Sequence, residues 1–307
     1  MIALIWQHYI KTLNGILKMK KLALAVAVSS LLLNGCVIAV GAHEYSHKDL
    51  NESKQQLTLD DAKSLKELDV HAGRGSLKIV GDSSVSVITV DAVIGSENGK
   101  DYEFSLERSG STAQLIAKTD GGMFDNSHAY LDLVVRVPSH LNLDVNDGSG
   151  DMNITNIAGD LSVNDGSGSM HISKIGGELD VNDGSGDIEV KNIGKDVSIN
   201  DGSGSIDLTK AGGSLTINDG SGDIEAFHVS GNVKVSDGSG SVHVDDVSGD
   251  VRVDDGSGDI DVNRISGHVS ISDGSGSINV TDAGSLTIKE AGSGGVNTSN
   301  IRGKISM

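Results

Sequence analysis

Asp183-Gly184-Ser185-Gly186-Asp187-Ile188-Glu189-Val190-Lys191-Asn192-Ile193-Gly194-Lys195-Asp196-Val197-Ser198-Ile199-Asn200 is one copy of a repeating unit of eighteen residues. Its opening tetrapeptide, Asp-Gly-Ser-Gly, occurs eight times, beginning at Asp147, Asp165, Asp183, Asp201, Asp219, Asp237, Asp255 and Asp273. Each start lies 18 residues after the last. A fixed period without insertions describes a stack, because an inserted residue would move every later side chain out of its column.

Numbered from that aspartate, positions six and eight are apolar (Ile188 and Val190, Ile206 and Leu208) and position seven between them is polar (Glu189, Asp207, Glu225, His243). That is the alternation of a strand with one face in and one face out. Positions fifteen and seventeen repeat it (Val197 and Ile199, Leu215 and Ile217), so each unit holds two short strands. Position eleven is a further apolar anchor, as in Ile157, Ile175, Ile193 and Ile265. Glycine at position thirteen (Gly159, Gly177, Gly213, Gly231) reads as a second turn with positive φ. Frequent glycine and a spacing of two exclude a helix. A hairpin sandwich would rarely hold one period over nine units. Coiling pairs each strand with the next turn of the stack, about 4.8 Å away. From Asp147 onward the only aromatic residue is Phe227, at outward position nine, so the core is a thin stack of aliphatic side chains with no room for a ligand cavity.

The amino-terminal end reads as a targeting segment. Lys20 and Lys21 precede an apolar run, Leu22 to Leu33, too short to span a bilayer. It ends in Leu33-Asn34-Gly35-Cys36, which resembles the lipobox of bacterial lipoproteins and implies that Cys36 is lipidated and becomes the first mature residue. Val37 follows where an aspartate could stand, a pattern that implies outer-membrane export. Met19 before the two lysines reads as the start, with residues 1–18 upstream of it. Cys36 is the only cysteine, so no internal disulfide forms. Residues 36–59 read as the lipidated cysteine and a tether. His43-Glu44-Tyr45-Ser46-His47 fits the H-E-x-x-H zinc pattern, but that chemistry needs a packed helix and the tether offers none, so coincidence is the simpler reading.

Residues 60–146 read as an irregular β cap, with strands at Val85–Val93, Tyr102–Leu106, Ala113–Lys118 and Leu131–Val137. Phe104, Phe124, Tyr102 and Tyr130 supply the bulk that a cap over an open core needs. Within this region Ala72-Gly73-Arg74-Gly75-Ser76-Leu77-Lys78-Ile79 looks like a worn copy of the repeat, and Pro138, the only proline, marks the border of the array. The regular coils fill 147–307. At the far end Ala291-Gly292-Ser293-Gly294 begins a ninth copy after one lost and one gained residue, and Thr298 stands at its inward position eight. No second cap follows, so the last edge is expected to fray or to associate end to end.

Gly148-Ser149-Gly150-Asp151-Met152, Gly184 to Ile188, Gly220 to Ile224 and Gly256 to Ile260 carry a G-S-G-D-I motif. With Val135-Arg136-Val137-Pro138 and Leu141-Asn142-Leu143-Asp144-Val145, it resembles the bacterial putative-adhesin domains of β-strand repeats and the related G-S-G-D-I head domains, over roughly residues 60–307. The resemblance implies a single-stranded β-helix on the cell envelope and no catalytic residues. This chain differs from those domains mainly in its regularity.

Charge narrows the partners. The chain has 24 basic and 43 acidic residues; removal of residues 1–35, which hold four lysines and no acid, leaves a net −23. Such a surface repels nucleic acid and anionic lipid heads and attracts divalent cations or basic proteins. Position five alternates strictly: Asp151, Ser169, Asp187, Ser205, Asp223, Ser241, Asp259, Ser277. Duplication of a 36-residue unit accounts for that, and alternation halves the repulsion between stacked carboxylates. The eight aspartates at position one have no such relief. Two readings stand for them. Each accepts hydrogen bonds from its own turn, with Asn146, Asn164, Asn182, Asn200 and Asn218 forming an internal amide ladder beside them. Alternatively, positions one and five together supply the oxygens of a row of calcium sites.

An enzyme's active site should break the repeat locally, and no unit does so. His171, His228, His243 and His268 occupy outward positions seven, ten, seven and fourteen and form no cluster. The sequence therefore specifies an all-β protein: a single-stranded β-helix of 18 residues per coil, right-handed, with an irregular amino-terminal cap. It predicts a non-catalytic, adhesin-like outer-membrane lipoprotein without a cofactor. Its expected partners are the membrane through its lipid, an envelope protein or glycan, and a further copy of itself through the open end. A calcium-binding structural rod is the alternative, and a glycan-active enzyme comes third.

Overall fold

The computed structural model describes residues 50–97, 99, 101–119 and 128–307. The signal segment, Cys36, the H-E-x-x-H stretch and Phe124 lie outside the described residues.

Every coil of the array contributes two strands. One runs from position six to eleven, as in Ile188–Ile193, and one from fifteen to position one of the next copy, as in Val197–Asp201. Each pairs in parallel with its counterpart one coil on: Ile188 faces Ile206, Val190 faces Leu208, Val197 faces Leu215 and Ile199 faces Ile217. Two parallel ladders result. Their inward side chains at positions six, eight, eleven, fifteen and seventeen form one continuous buried core. The β-helix and its period are thus as the sequence predicts.

Position eleven could not face inward from a straight strand that already buries six and eight. The chain bends at position ten, where Asn156, Lys174, Asn192, Lys210, His228, Asp246, Arg264, Asp282 and Asn300 all hold φ between 54° and 74°. The expected positive φ at the position-thirteen glycine is not there. What favours glycine at thirteen is space, since a Cβ on Gly177 would stand 2.2 Å from Asp160 Oδ1 and 2.5 Å from the Gly159 carbonyl oxygen, while the next coil places Lys195 there.

The stack begins earlier than position 147. Strands β1 (Asn51–Leu59), β2 (Glu67–Ala72) and β3 (Leu77–Asp82) open the described chain. They are followed by β4 (Ile88–Ser96), β5 (Tyr102–Ser109), β6 (Thr112–Thr119), β7 (Tyr130–Pro138), β8 (Asn142–Asn146) and β9 (Met152–Ile157). Leu68 faces Leu143, Val70 faces Val145, Leu77 faces Met152 and Ile79 faces Ile154. The worn repeat is therefore a true first coil, offset by 75 residues where the array steps by 18. The residues between the first and second coils build the cap. β4 pairs antiparallel with both β1 and β7, and β7 continues the ladder of β3. The β5–β6 hairpin extends the ladder of β2. Residues 51–59, expected in the tether, are instead the strand β1. The Tyr130 hydroxyl lies 2.8 Å from Glu52 Oε1 and ties β7 to β1.

At the other end two long strands, Ile260–Asp273 and Ile278–Ala291, cover both ladders without a break. Their register slips from Ile265/Ala283 to His268/Ser285 and returns by Ser272/Glu290, which are the lost and the gained residue of the sequence. The last coil carries only short strands, Val296–Ser299 and Ile305–Ser306, and leaves Ile305 and Met307 exposed.

Candidate functional site: a buried column of aspartates

The strand that ends each coil alternates strictly, as Leu161, Ser162, Val163, Asn164 and Asp165 show: buried, exposed, buried, exposed, buried. Position one therefore points into the coil. Asp147, Asp165, Asp183, Asp201, Asp219, Asp237 and Asp255 keep only 5–8% of their surface and Asp273 keeps 1%. The aspartates are thus the inner column, and the amide ladder expected inside is the one that lies outside. The asparagines point the other way and form their ladder outside, with Asn164 donating to Asn146 at 3.4 Å, Asn200 to Asn182 at 3.1 Å and Asn218 to Asn200 at 2.8 Å.

Six of the eight buried carboxyls close an Asx turn. The amide of the serine two residues on donates to Oδ1 of Asp183, Asp201, Asp219 and Asp255 at 3.2 Å, of Asp237 at 3.1 Å and of Asp273 at 2.9 Å. Asp147 takes the Gly148 amide at 2.8 Å. The second oxygen, Oδ2, is buried without a partner in all eight, and in Asp165 neither oxygen has one.

The coils set these groups directly above one another: Asp165 faces Asp183, Asp183 faces Asp201 and Asp237 faces Asp255. Two unit charges about 4.8 Å apart repel by roughly 3.5 kcal/mol at an effective dielectric of about 20. Loss of hydration raises the carboxyl pKa first, and the neighbouring aspartates add to it. Asp147 is pushed up to about 7, and Asp183 and Asp237 to about 6. Burial also raises Asp165, Asp201, Asp219 and Asp255, in the last three against the pull of their turn amides.

Position five is a separate feature. Asp151, Asp187, Asp223 and Asp259 are exposed. Asp187 Oδ1 accepts the Ser205 amide of the next coil at 3.0 Å, and Asp223 and Asp259 do the same for Ser241 at 2.8 Å and Ser277 at 2.9 Å. Position one thus lies inside the coil and position five outside it. Among the described residues no group of three or more histidine, cysteine or acidic side chains converges as a metal would need. Position fourteen, which sequence reasoning passed over, forms a third ladder. Asp160 Oδ1 accepts the Glu178 amide at 2.9 Å, Asp196 Oδ1 that of Ser214 at 2.7 Å and Asp250 Oδ1 that of His268 at 2.7 Å. Oxygen-bearing residues at one column (Asn142, Asp160, Asp196, Ser214, Asn232, Asp250) were the available signal.

The sequence profile of Toastrack DUF4097 matches residues 10–227 and 178–303. The chain belongs to this family. As a Toastrack chain it is also similar to several solved structures. A "putative adhesin" from Parabacteroides distasonis ATCC 8503 has 13% identity and a TM-score of 0.45, over 82% of this chain and 98% of that one. Another from Parabacteroides merdae ATCC 43184 has 14% identity and a TM-score of 0.43, over 81% and 96%. A "putative lipid binding protein" from Parabacteroides distasonis ATCC 8503 has 15% identity and a TM-score of 0.40, over 84% and 97%. No curated protein matches the Toastrack chain.

The histidines of the Toastrack array lie apart on its outer surface. His171 Nε2 lies 2.9 Å from Glu189 Oε2 one coil on, the His243 ring lies 5.3 Å from Phe227, and His268 Nδ1 lies 2.8 Å from Ser285 Oγ. None is placed beside the buried aspartates.

Proposed function

We propose that this chain is an exported lipoprotein, anchored to the outer membrane through Cys36, whose Toastrack β-helix is a non-catalytic, adhesin-like binding and structural module. The observation that carries this reading is the uniformity of the array. The coils that begin at Asp147 to Asp273 repeat the same Asp-Gly-Ser-Gly turn and the same inward aliphatic positions, and the register slip between Ile265 and Ser272 is a change of length alone. Long flat ladders with a net negative charge suit a broad contact with a basic protein or an extended glycan of the envelope. The lipid reading rests on Leu33-Asn34-Gly35-Cys36 behind its apolar run. Among the described residues no helix is long and apolar enough to cross a membrane.

Two measurements test it. Wild-type protein should take up a labelled fatty acid and fractionate with outer membranes, whereas Cys36→Ala should lose the label and the membrane association. Cys36→Ala that still fractionates with membranes and carries label would overturn the anchor. A pull-down from native envelope with the lipid intact identifies the partner. Turnover on a polysaccharide panel that disappears when one carboxylate is changed would overturn the non-catalytic reading.

A further inference from the structure

We propose that the column from Asp147 to Asp273 is a proton-binding file, in which each neutral carboxyl donates its proton to the unpartnered Oδ2 of a neighbouring carboxylate. This goes beyond the adhesin-like reading and does not depend on it.

Three observations carry the proposal. The first is position: eight carboxyls follow one another one coil apart, all at least nine-tenths buried. The second is the orphaned oxygen. A turn amide serves Oδ1 in seven members, while Oδ2 of all eight is buried with no partner. An ionised oxygen in that state is costly, and a neutral neighbour supplies the missing donor. Two carboxyls sharing one proton satisfy both oxygens at once, and a file extends the pair. The third is the company the file keeps. It ends in alanine on both sides: Asp273 faces Ala291, and the register that sets His71 against Asn146 brings Ala72 to the level of Asp147. The charged groups that act on the file are its own neighbours and, at Asp201, the outward Asp187. None of the described ion pairs brings a lysine, arginine or histidine to it. His71 is held by Asp69 at 3.1 Å, and Arg74 meets the array through its backbone bridge to Ser149. Burial and mutual repulsion both favour the proton-bound form, in the direction the raised carboxyl pKa values take.

The probe is the proton itself, counted on the full chain. Infrared spectra of folded protein at pH 6 should show the carbonyl band of un-ionised carboxyl groups, and denaturant at the same pH should abolish it. Potentiometric titration should show roughly four more protons bound to the folded than to the unfolded chain at pH 6, as expected where each neighbouring pair shares one proton. Asp201→Asn should reduce the band and lower the apparent pKa of the remaining file, whereas Asp187→Asn on the outer surface should leave the band in place. A folded wild-type protein without the band at pH 6 would overturn the proposal. So would loss of the band, with a rise in melting temperature, on adding calcium or potassium, because the file would then be a cation column. The folded and unfolded wild-type spectra decide the matter even if Asp201→Asn fails to fold.

Discussion

The position-four glycine of each Asp-Gly-Ser-Gly turn shows how closely the coils approach. Gly204 holds φ at 144°, and a Cβ there would stand 1.9 Å from the carbonyl oxygen of Gly186 in the coil before. Gly204→Ala should therefore cost about 1–3 kcal/mol of strain or more, read by denaturant unfolding. The two kinds of aspartate should also separate under substitution. Asp187 caps one exposed amide, so Asp187→Ala should cost about 1 kcal/mol or less. Asp183→Ala removes a buried turn closure that also relieves two like charges, so its cost should depend on pH and shrink as pH rises from 4 to 7. Equal and pH-independent losses at the two positions would contradict the inward placement of position one. That placement was legible in principle, because positions fifteen, seventeen and nineteen share one parity. Rank by polarity hid it, since a carboxylate is among the least expected residues in a core.

At the scale of the coil, five inward aliphatic positions and two ladders make one unit, and neighbours supply most of its stability. Ile188 is buried between Met170 and Ile206. Ile188→Ala should cost about 2–5 kcal/mol, and limited proteolysis should then cut near that coil. The register slip between Ile265 and Ser272 shows where the ladders absorb a length change: it begins at the second turn and is made good before the next Asp-Gly-Ser-Gly. One residue inserted after Gly194, at such a turn, should lower the melting temperature less than one inserted after Ile188. An equal loss would mean that the two ladders do not tolerate shifts differently. The left-handed residue at position ten was not legible, because lysine, arginine and histidine stand there alongside asparagine and aspartate. The parallel neighbours above and below enforce that bend, and those are tertiary contacts.

For the molecule as a whole, acidity sets the behaviour. Carboxyls with raised pKa bind protons more tightly in the folded state than in the unfolded one, whose value is near 3.8. Their stabilisation is full below that value and is lost as pH climbs through about 6 to 7. The melting temperature should fall from pH 4 to pH 7 and then level off. Outward Asp160 and Glu189, lowered by a backbone amide and by Lys191 respectively, act in the opposite sense only at more acidic pH. A melting temperature that rises steadily from pH 4 to pH 7 would contradict the buried column. The last coil, Gly292 to Met307, holds no acid and two basic residues, Arg302 and Lys304. Arg302 Nη2 reaches back to the carbonyl oxygens of Ile265 at 3.1 Å and Ser266 at 3.2 Å. Its strand Val296–Ser299 is short and only half-buried or exposed, so its amides should exchange faster than those of Ile188–Ile193. Equal protection of the two strands in hydrogen exchange would contradict this.

The sequence by itself determined the period, the two strands per coil, the aliphatic core and the bulk of the cap, because a stack of identical units writes its geometry into a repeat. It also announced the turns, since Asp-Gly-Ser-Gly has few other uses. Only the tertiary structure decided that the first coil precedes the cap that interrupts it. It alone turned the aspartates inward and the asparagines outward. The reason is that a residue's side of the wall depends on parity and on the coils above and below it, and polarity alone does not reveal either.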